Sequence, residues 1–224
     1  MKRRWRLRER RAVEVRGRHM LLAALCALGN EADCTAAQAA DIKVQVESAS
    51  ASPLSNAVVY ATPLTPSARP VPGTVVIDQI NRQFVPRDSV VEAGTSIAFP
   101  NSDNIHHSVY SFSPAKVFTL PLYAGKTVSP VLFDKPGVVV LGCNIHDSMV
   151  AWILVVDTPY YARTDASGTA TLTGLPPGEY QLRAWHEPMA EEAAGEPLHV
   201  DSDQPAPRTL RLDVAGRLTP GIAQ

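Results

Sequence analysis

The sequence predicts an all-β protein assembled from β-sandwich modules. Short apolar runs recur along it, 19 Pro and 13 Gly punctuate them, and no long amphipathic helical pattern follows residue 40. Residues 41–46 alternate apolar and polar side chains, as a half-buried strand does, and 56–61 form a second strand. Residues 63–73 hold four Pro in eleven positions and read as a linker. Further strands are expected at 74–77, 84–85, 89–91 and 95–99, the last two separated by the turn Glu92-Ala93-Gly94. Residues 107–112 alternate again; 128–133, 137–141 and 150–156 are apolar runs of strand length. Strands at 162–163, 169–172, 180–185 and 210–214 complete the set. Residues 187–208 are acidic and contain Pro, as expected of a long surface connection, and 216–224 read as a loose tail.

The first forty residues have a different character. Nine Lys/Arg and two Glu fall within residues 1–19, followed by a short apolar run at 20–28 and a small-residue stretch ending in Ala36-Ala37-Gln38-Ala39-Ala40. Basic, apolar and small segments in that order predict a secretory signal peptide over 1–40, cleaved after Ala39 or Ala40, with Met20 a second candidate start. The apolar run is too short to span a bilayer. Removing the leader takes away nine of the 21 basic and four of the 22 acidic residues, which leaves a net charge of about −6. A mildly acidic chain without a basic patch argues against nucleic-acid binding. Cys26 and Cys34 lie in the leader, so Cys143 is the single thiol left and no internal disulfide can form. A lone thiol in an oxidising compartment needs burial or a bound metal to protect it.

Cys143 opens the most informative motif, Cys143-Asn-Ile-His146-Asp-Ser-Met149, set between the apolar runs 137–142 and 150–156. A thiolate, an imidazole and a thioether in seven residues form a soft donor set, and two His with one Cys and a weak axial Met suit copper. The second imidazole is available upstream. His107 shares a strand face with Val109, whereas His106 points the other way, toward solvent. The expected metal residues are therefore His107, Cys143, His146 and Met149. Each also has an ordinary reading: a lone Cys is often a small core residue, and Met149 by itself would be core. The Cys-x2-His-x2-Met spacing favours a metal. Cys143 with His146 is a poor catalytic dyad, since nucleophile and base normally come from different elements. No Gly-rich phosphate loop is present, and Ser111 and Ser113 have no base at a telling spacing. Trp152 is expected in the core, His186 at the surface.

Several strings carry a family resemblance: Val91-Glu-Ala-Gly94, Ile97-Ala-Phe99, Asn101-x-Asp103, His107-x-Val109, Phe133-x-x-Pro136-Gly137 and the Cys143 loop. They fall within residues 72–157, and this segment resembles the cupredoxins, its ligand loop the short amicyanin-like version. The longer string from Val76 to Asp147 resembles bacterial methylamine utilization proteins. The resemblance implies a Greek-key sandwich with one blue (type 1) copper held by His107, Cys143, His146 and Met149. Ser108 stands where the family usually has an Asn that braces the Cys loop; Asp103 and Asn101 are the candidates to supply that brace, or else to cap a turn. Residues 164–183, with Asp165-x-x-Gly168, Leu175-Pro-Pro-Gly178 and Tyr180-x-Leu182, resemble the end of a carboxypeptidase-regulatory-like or transthyretin-like repeat, whose opening is found at 44–46 and 56–60.

The expected organisation is a signal peptide (1–40), the first strands and linker of an Ig/prealbumin-like sandwich (41–71), a cupredoxin domain (72–157), the remainder of the sandwich (158–215) and a tail (216–224). The cupredoxin domain is thus inserted in, or joined to, a second β-sandwich, and insertion at a loop tip is cheap. The expected function is a non-enzymatic, periplasmic electron carrier, without a membrane span after cleavage, that meets a redox partner such as a c-type cytochrome or a dehydrogenase. A non-redox copper carrier or sensor and a cell-envelope binding module are the alternatives. A multicopper oxidase is disfavoured, because the chain has one ligand loop and no His-x-His pair.

Overall fold

A computed structural model describes residues 39–65, 73–125, 129–201 and 205–214. Residues 1–38 of the expected signal peptide, most of the expected Pro-rich linker and the expected tail at 216–224 lie outside the described residues. Seventeen strands run in chain order: β1 (Ala40–Ser48), β2 (Val58–Pro63), β3 (Thr74–Val76), β4 (Asp78–Ile80), β5 (Gln83–Val85), β6 (Asp88–Glu92), β7 (Thr95–Ala98), β8 (His107–Ser113), β9 (Lys116–Tyr123), β10 (Val131–Phe133), β11 (Gly137–Gly142), β12 (Val150–Val156), β13 (Tyr161–Arg163), β14 (Thr169–Leu175), β15 (Gly178–Trp185), β16 (Glu196–Val200) and β17 (Arg208–Leu212). No helix occurs among the described residues, and the all-β class expected from the sequence is the class observed.

Pairing separates the strands into two groups. β1 lies between β14 and β17, and β2 between β13 and β15, with β16 outside β15. The first two strands thus pair with the last five. Between them in the chain, β3 to β12 pair among themselves: a five-stranded sheet β6-β12-β11-β8-β9, a three-stranded sheet β10-β7-β3 and the hairpin β4-β5.

Three apolar clusters follow from this arrangement. One fills the space among β1, β2 and β14–β17, around Ile42, Val44, Leu172, Leu182 and Leu210. A second packs the inner faces of β3–β12, around Ile97, Phe99, Phe133, Leu141 and Ile153, and includes Cys143 and Met149. The third joins the two groups. Val138, Trp152, Leu154 and Val156, on the outer face of the five-stranded sheet, pack with Val58, Tyr60 and Trp185. This is why 150–156 reads as a continuous apolar run: both faces of β12 are covered. Trp152 is core, as expected, at 4 % exposure. Polar pairs flank the junction, Arg163 with Asp88 at 2.5 Å and Arg87 with Glu187 at 3.0 Å.

Two elements depart from expectation. β9 was not anticipated, because Pro121 sits in its middle; it forms the outer edge of its sheet, where a missing N–H costs no ladder bond. Residues 187–208 were expected to be surface connection, yet they contain β16, whose Leu198 and Val200 are buried while the intervening His199 is exposed. Acidic flanks concealed a short alternating strand. His186, expected at the surface, is half-buried, and its Nε2–H donates to the Ser55 carbonyl at 3.1 Å.

Burial holds several tyrosines neutral. Tyr60, at the junction, is pushed well above the usual phenol range by burial, with Glu192 adding to it. Tyr123 is raised to about 12 by burial, and the charges of Cys143 and Asp78 raise it too, against a lowering bond from Gln79. In the unfolded chain these phenols ionise near pH 10. A raised folded value means their contribution is complete below pH 10 and is lost as pH climbs toward 12. Urea midpoints are therefore expected to fall between pH 9 and pH 11.5, and Tyr60→Phe is expected to make that fall shallower; an unchanged slope would count against burial of Tyr60 as its source.

Candidate metal centre

β8 and β11 are antiparallel neighbours, with Tyr110 opposite Gly142. His107 starts β8 and Cys143 directly follows β11, so the pairing sets an imidazole and a thiol side by side from stretches 36 residues apart. Gly142 permits the close approach: a Cβ there would lie 2.5 Å from the Tyr110 ring. His146 is then delivered by the turn that leads into β12, where the Met149 N–H donates to the His146 carbonyl at 2.9 Å.

The donor atoms of His107, Cys143 and His146 all lie within 4.8 Å of one another. Both imidazoles present Nδ1 to the sulfur, each at 3.9 Å from Cys143 Sγ, and the two rings meet edge-on at 4.9 Å. His107 and Cys143 are buried, whereas His146 is half-buried. His106 is exposed. Met149 is 1 % exposed and belongs to the same apolar cluster as Cys143.

The arrangement fits an ion. Bonds of about 2.0 Å to nitrogen and about 2.3 Å to sulfur, meeting at about 120°, separate their ligand atoms by roughly 3.7 Å. The observed sulfur–nitrogen separations of 3.9 Å are close to that. One thiol and two imidazoles make a set apt for copper and poor for Mg²⁺ or Ca²⁺.

His107 is oriented from its far side. Its Nε2–H donates to Asp103 Oδ2 at 2.7 Å, which leaves the Nδ1 lone pair directed at the cluster. Asp103 is itself gripped: the amides of Asn81 and Arg82 donate to its two oxygens at 2.6 and 2.8 Å. Both amides point inward because Asn81 and Arg82 form the β4–β5 turn with positive φ, 53° and 59°. Burial raises the Asp103 carboxyl, but the amide bonds and His107 together hold it below the usual carboxylate range. The sequence had singled out Asp103 and Asn101 as braces or turn caps. Asn101 does the latter, donating through Nδ2 to the Ile105 and Tyr123 carbonyls, both at 2.8 Å.

The loop brace itself comes from Ser108. This buried hydroxyl accepts the Asn144 N–H at 2.9 Å and lies 3.8 Å from Cys143 Sγ. In the sequence Asp103 and Asn101 are the more conspicuous candidates for that role. The signal was the small polar side chain at the position after His107; its bond with the Asn144 N–H joins residues 36 apart and is visible only in three dimensions.

No protein-family model matches this chain, and no curated relative matches it. Solved structures do. A Cu-containing nitrite reductase from Thermus scotoductus is 23 % identical with a TM-score of 0.36, over 43 % of this chain and 26 % of that one, so the chain aligns with about a quarter of its length. A purple cupredoxin from Nitrosopumilus maritimus is 22 % identical with a TM-score of 0.32, over 36 % of this chain and 96 % of that one. An oxidized mutant form of amicyanin is 17 % identical with a TM-score of 0.34, over 43 % of this chain and 99 % of that one.

Groups that orient a ligating imidazole commonly contribute about 10- to 100-fold to metal affinity. Asp103→Ala is expected to weaken copper binding by about that factor in a chelator-competition titration, and Asp103→Asn, which keeps an acceptor oxygen, by less. Equal affinity in all three proteins would remove Asp103 from the site.

Proposed function

We propose that this chain is a mononuclear copper protein that passes single electrons between redox partners, with His107, Cys143 and His146 as its principal ligands and Met149 as a weak axial donor. The observation that carries this reading is the convergence of the His107, Cys143 and His146 donor atoms within 4.8 Å. Copper bound there would supply one-electron exchange between its two common oxidation states.

The chain's own residues do the rest. His107 and Cys143 are buried and keep water from the donor atoms. β8, β11 and the turn before β12 belong to one packed sandwich, so the ligands move little when charge changes. A rigid donor set lowers the reorganisation that accompanies transfer. His146 alone of the three reaches the surface, and exposed Ile145 beside it offers an apolar contact for a partner. Redox encounters use small, transient interfaces, so a patch of this size suffices. The partner on this reading is a c-type cytochrome or a dehydrogenase. The compartment is the periplasm, reached through the leader.

On this reading residues 72–157 form a cupredoxin domain of the kind found in methylamine utilization proteins. Residues 41–71 and 158–215 form an Ig/prealbumin-like partner sandwich. The pairing of β1 and β2 with β13–β17 supports that division.

Adding Cu(II) to the purified protein is expected to produce an intense blue thiolate-to-copper band, and voltammetry a reversible one-electron wave; Cys143→Ala is expected to lose both. A colourless wild-type protein, or a blue one that does not cycle, would contradict electron carriage.

A further inference from the structure

β9 is the outer strand of the five-stranded sheet, and among the described residues no strand pairs with its free edge. An open edge presents a row of unpaired N–H and C=O groups, and folded proteins guard such edges with charge. The other edges of more than three residues are charged or polar. β6 carries Asp88 and Glu92, β16 exposes Glu196 and His199, β17 exposes Arg208 and Arg211, and β14 exposes Thr171 and Thr173. β9 has a single charge, Lys116, whose ammonium pairs with Asp134 at 3.6 Å. Its exposed side chains are largely apolar: Val117 at 66 % and Leu122 at 52 %, with Phe112 of β8 opposite Val117 and exposed at 75 %. Pro121 withholds one donor and leaves residues 116–120 with all of theirs.

The exposed side chains continue a surface that is already buried further along the sheet. Cross-strand partners share a face. Trp152 lies opposite Val140, Gly142 opposite Tyr110, and Phe112 opposite Val117, so all of them belong to the same side of the sheet. The β11–β12 half of that side packs against Val58, Tyr60 and Trp185. The β8–β9 half extends it, with the Tyr110 and Phe112 rings 5.2 Å apart, and is uncovered at Phe112 and Val117.

We propose that two copies of this chain associate here, β9 pairing antiparallel with β9 of a second copy about a two-fold axis and extending the sheet. A second copy is the occupant because the patch matches itself. A two-fold contact sets the same residues of both copies together, so an unpaired charge there would repel its own image. Residues 116–123 carry no charge besides Lys116, and Asp134 neutralises it. The same neutrality gives a partner of opposite charge nothing to recognise. Antiparallel pairing satisfies the backbone groups of both edges at once, and the β-branched Val117 and Thr119 suit cross-strand contact. The inference is independent of the copper reading. Phe112 is five residues past His107 on β8, about 16 Å along the strand, so the contact leaves Ile145 and His146 open on both copies.

The ordinary alternative is an edge that stays open, with Pro121 as its guard and the chain a monomer. The test measures the molar mass of the full-length chain by sedimentation equilibrium over a range of protein concentrations, and hydrogen exchange of the 116–120 amides at the two ends of that range. Expected is a mass that rises from one chain to two, with exchange of the outward amides of 116–120 slowed in step. Val117→Lys, which brings like charges to the contact, is expected to keep the mass of one chain throughout with an unchanged far-UV circular dichroism spectrum, and Val117→Thr to keep the dimer. A wild type that stays at the mass of one chain overturns the proposal. So does a dimer whose 116–120 amides exchange equally fast at both concentrations, or one that persists in folded Val117→Lys. If Val117→Lys does not fold, wild-type mass and exchange decide alone.

Discussion

The pairing of β8 with β11 is the contact on which the rest of the site depends. It places the first residue of one strand next to the residue that follows the other, and so brings His107 to Cys143. Side chains in a strand alternate with a period of two, so a slip of one residue would turn His107 away and His106 inward. Gly142 permits the pairing locally, since a Cβ there would lie 2.5 Å from the Tyr110 ring. The apolar cluster around Phe99, Phe133, Leu141 and Ile153 secures it globally, because a slip would expose those residues.

Around that contact the polar groups are arranged in a graded way. Asp103, held by two backbone amides of a tight turn, fixes the tautomer of His107. Ser108 engages the sulfur and the loop after it. Gln79, fully buried, donates to the Phe99 and Pro100 carbonyls and to the Tyr123 hydroxyl, and thereby ties β4 to the segment that leads into the site. The hairpin β4–β5 belongs to neither large sheet, yet it holds the carboxylate that holds the imidazole. Its apparent isolation in the topology conceals a direct mechanical link to the centre.

How much of this was readable beforehand depended on how local each signal was. The Cys143-x-x-His146-x-x-Met149 loop is contained in seven residues, so its soft donor set was plain in the sequence. His107 could be preferred over His106 from the strand alternation alone; His107 is buried and His106 is exposed. The bond between Ser108 and the Asn144 amide joins residues 36 apart and was therefore hidden. The grip of Asn81 and Arg82 on Asp103 joins residues some twenty apart and depends on left-handed backbone at the turn. For the fold, β12 announced itself as an apolar run because it is buried on both faces. β9 and β16 did not, since a Pro in one and acidic flanks around the other masked their alternation.

The apolar junction formed by Trp152, Leu154, Trp185 and Tyr60 backs the outer face of the sheet that carries β8, β11 and β12, so the ligand frame is stiffened from behind as well as from within. The central claim is that one ion is shared by side chains from two separated stretches. A crystal structure of the copper-soaked protein, with anomalous differences recorded at the copper edge, tests it most directly. The account predicts a single peak within bonding distance of Cys143 Sγ and of Nδ1 on both His107 and His146. A peak bound to the Cys143 loop with His107 still turned solely to Asp103, or a peak elsewhere in the molecule, would contradict it.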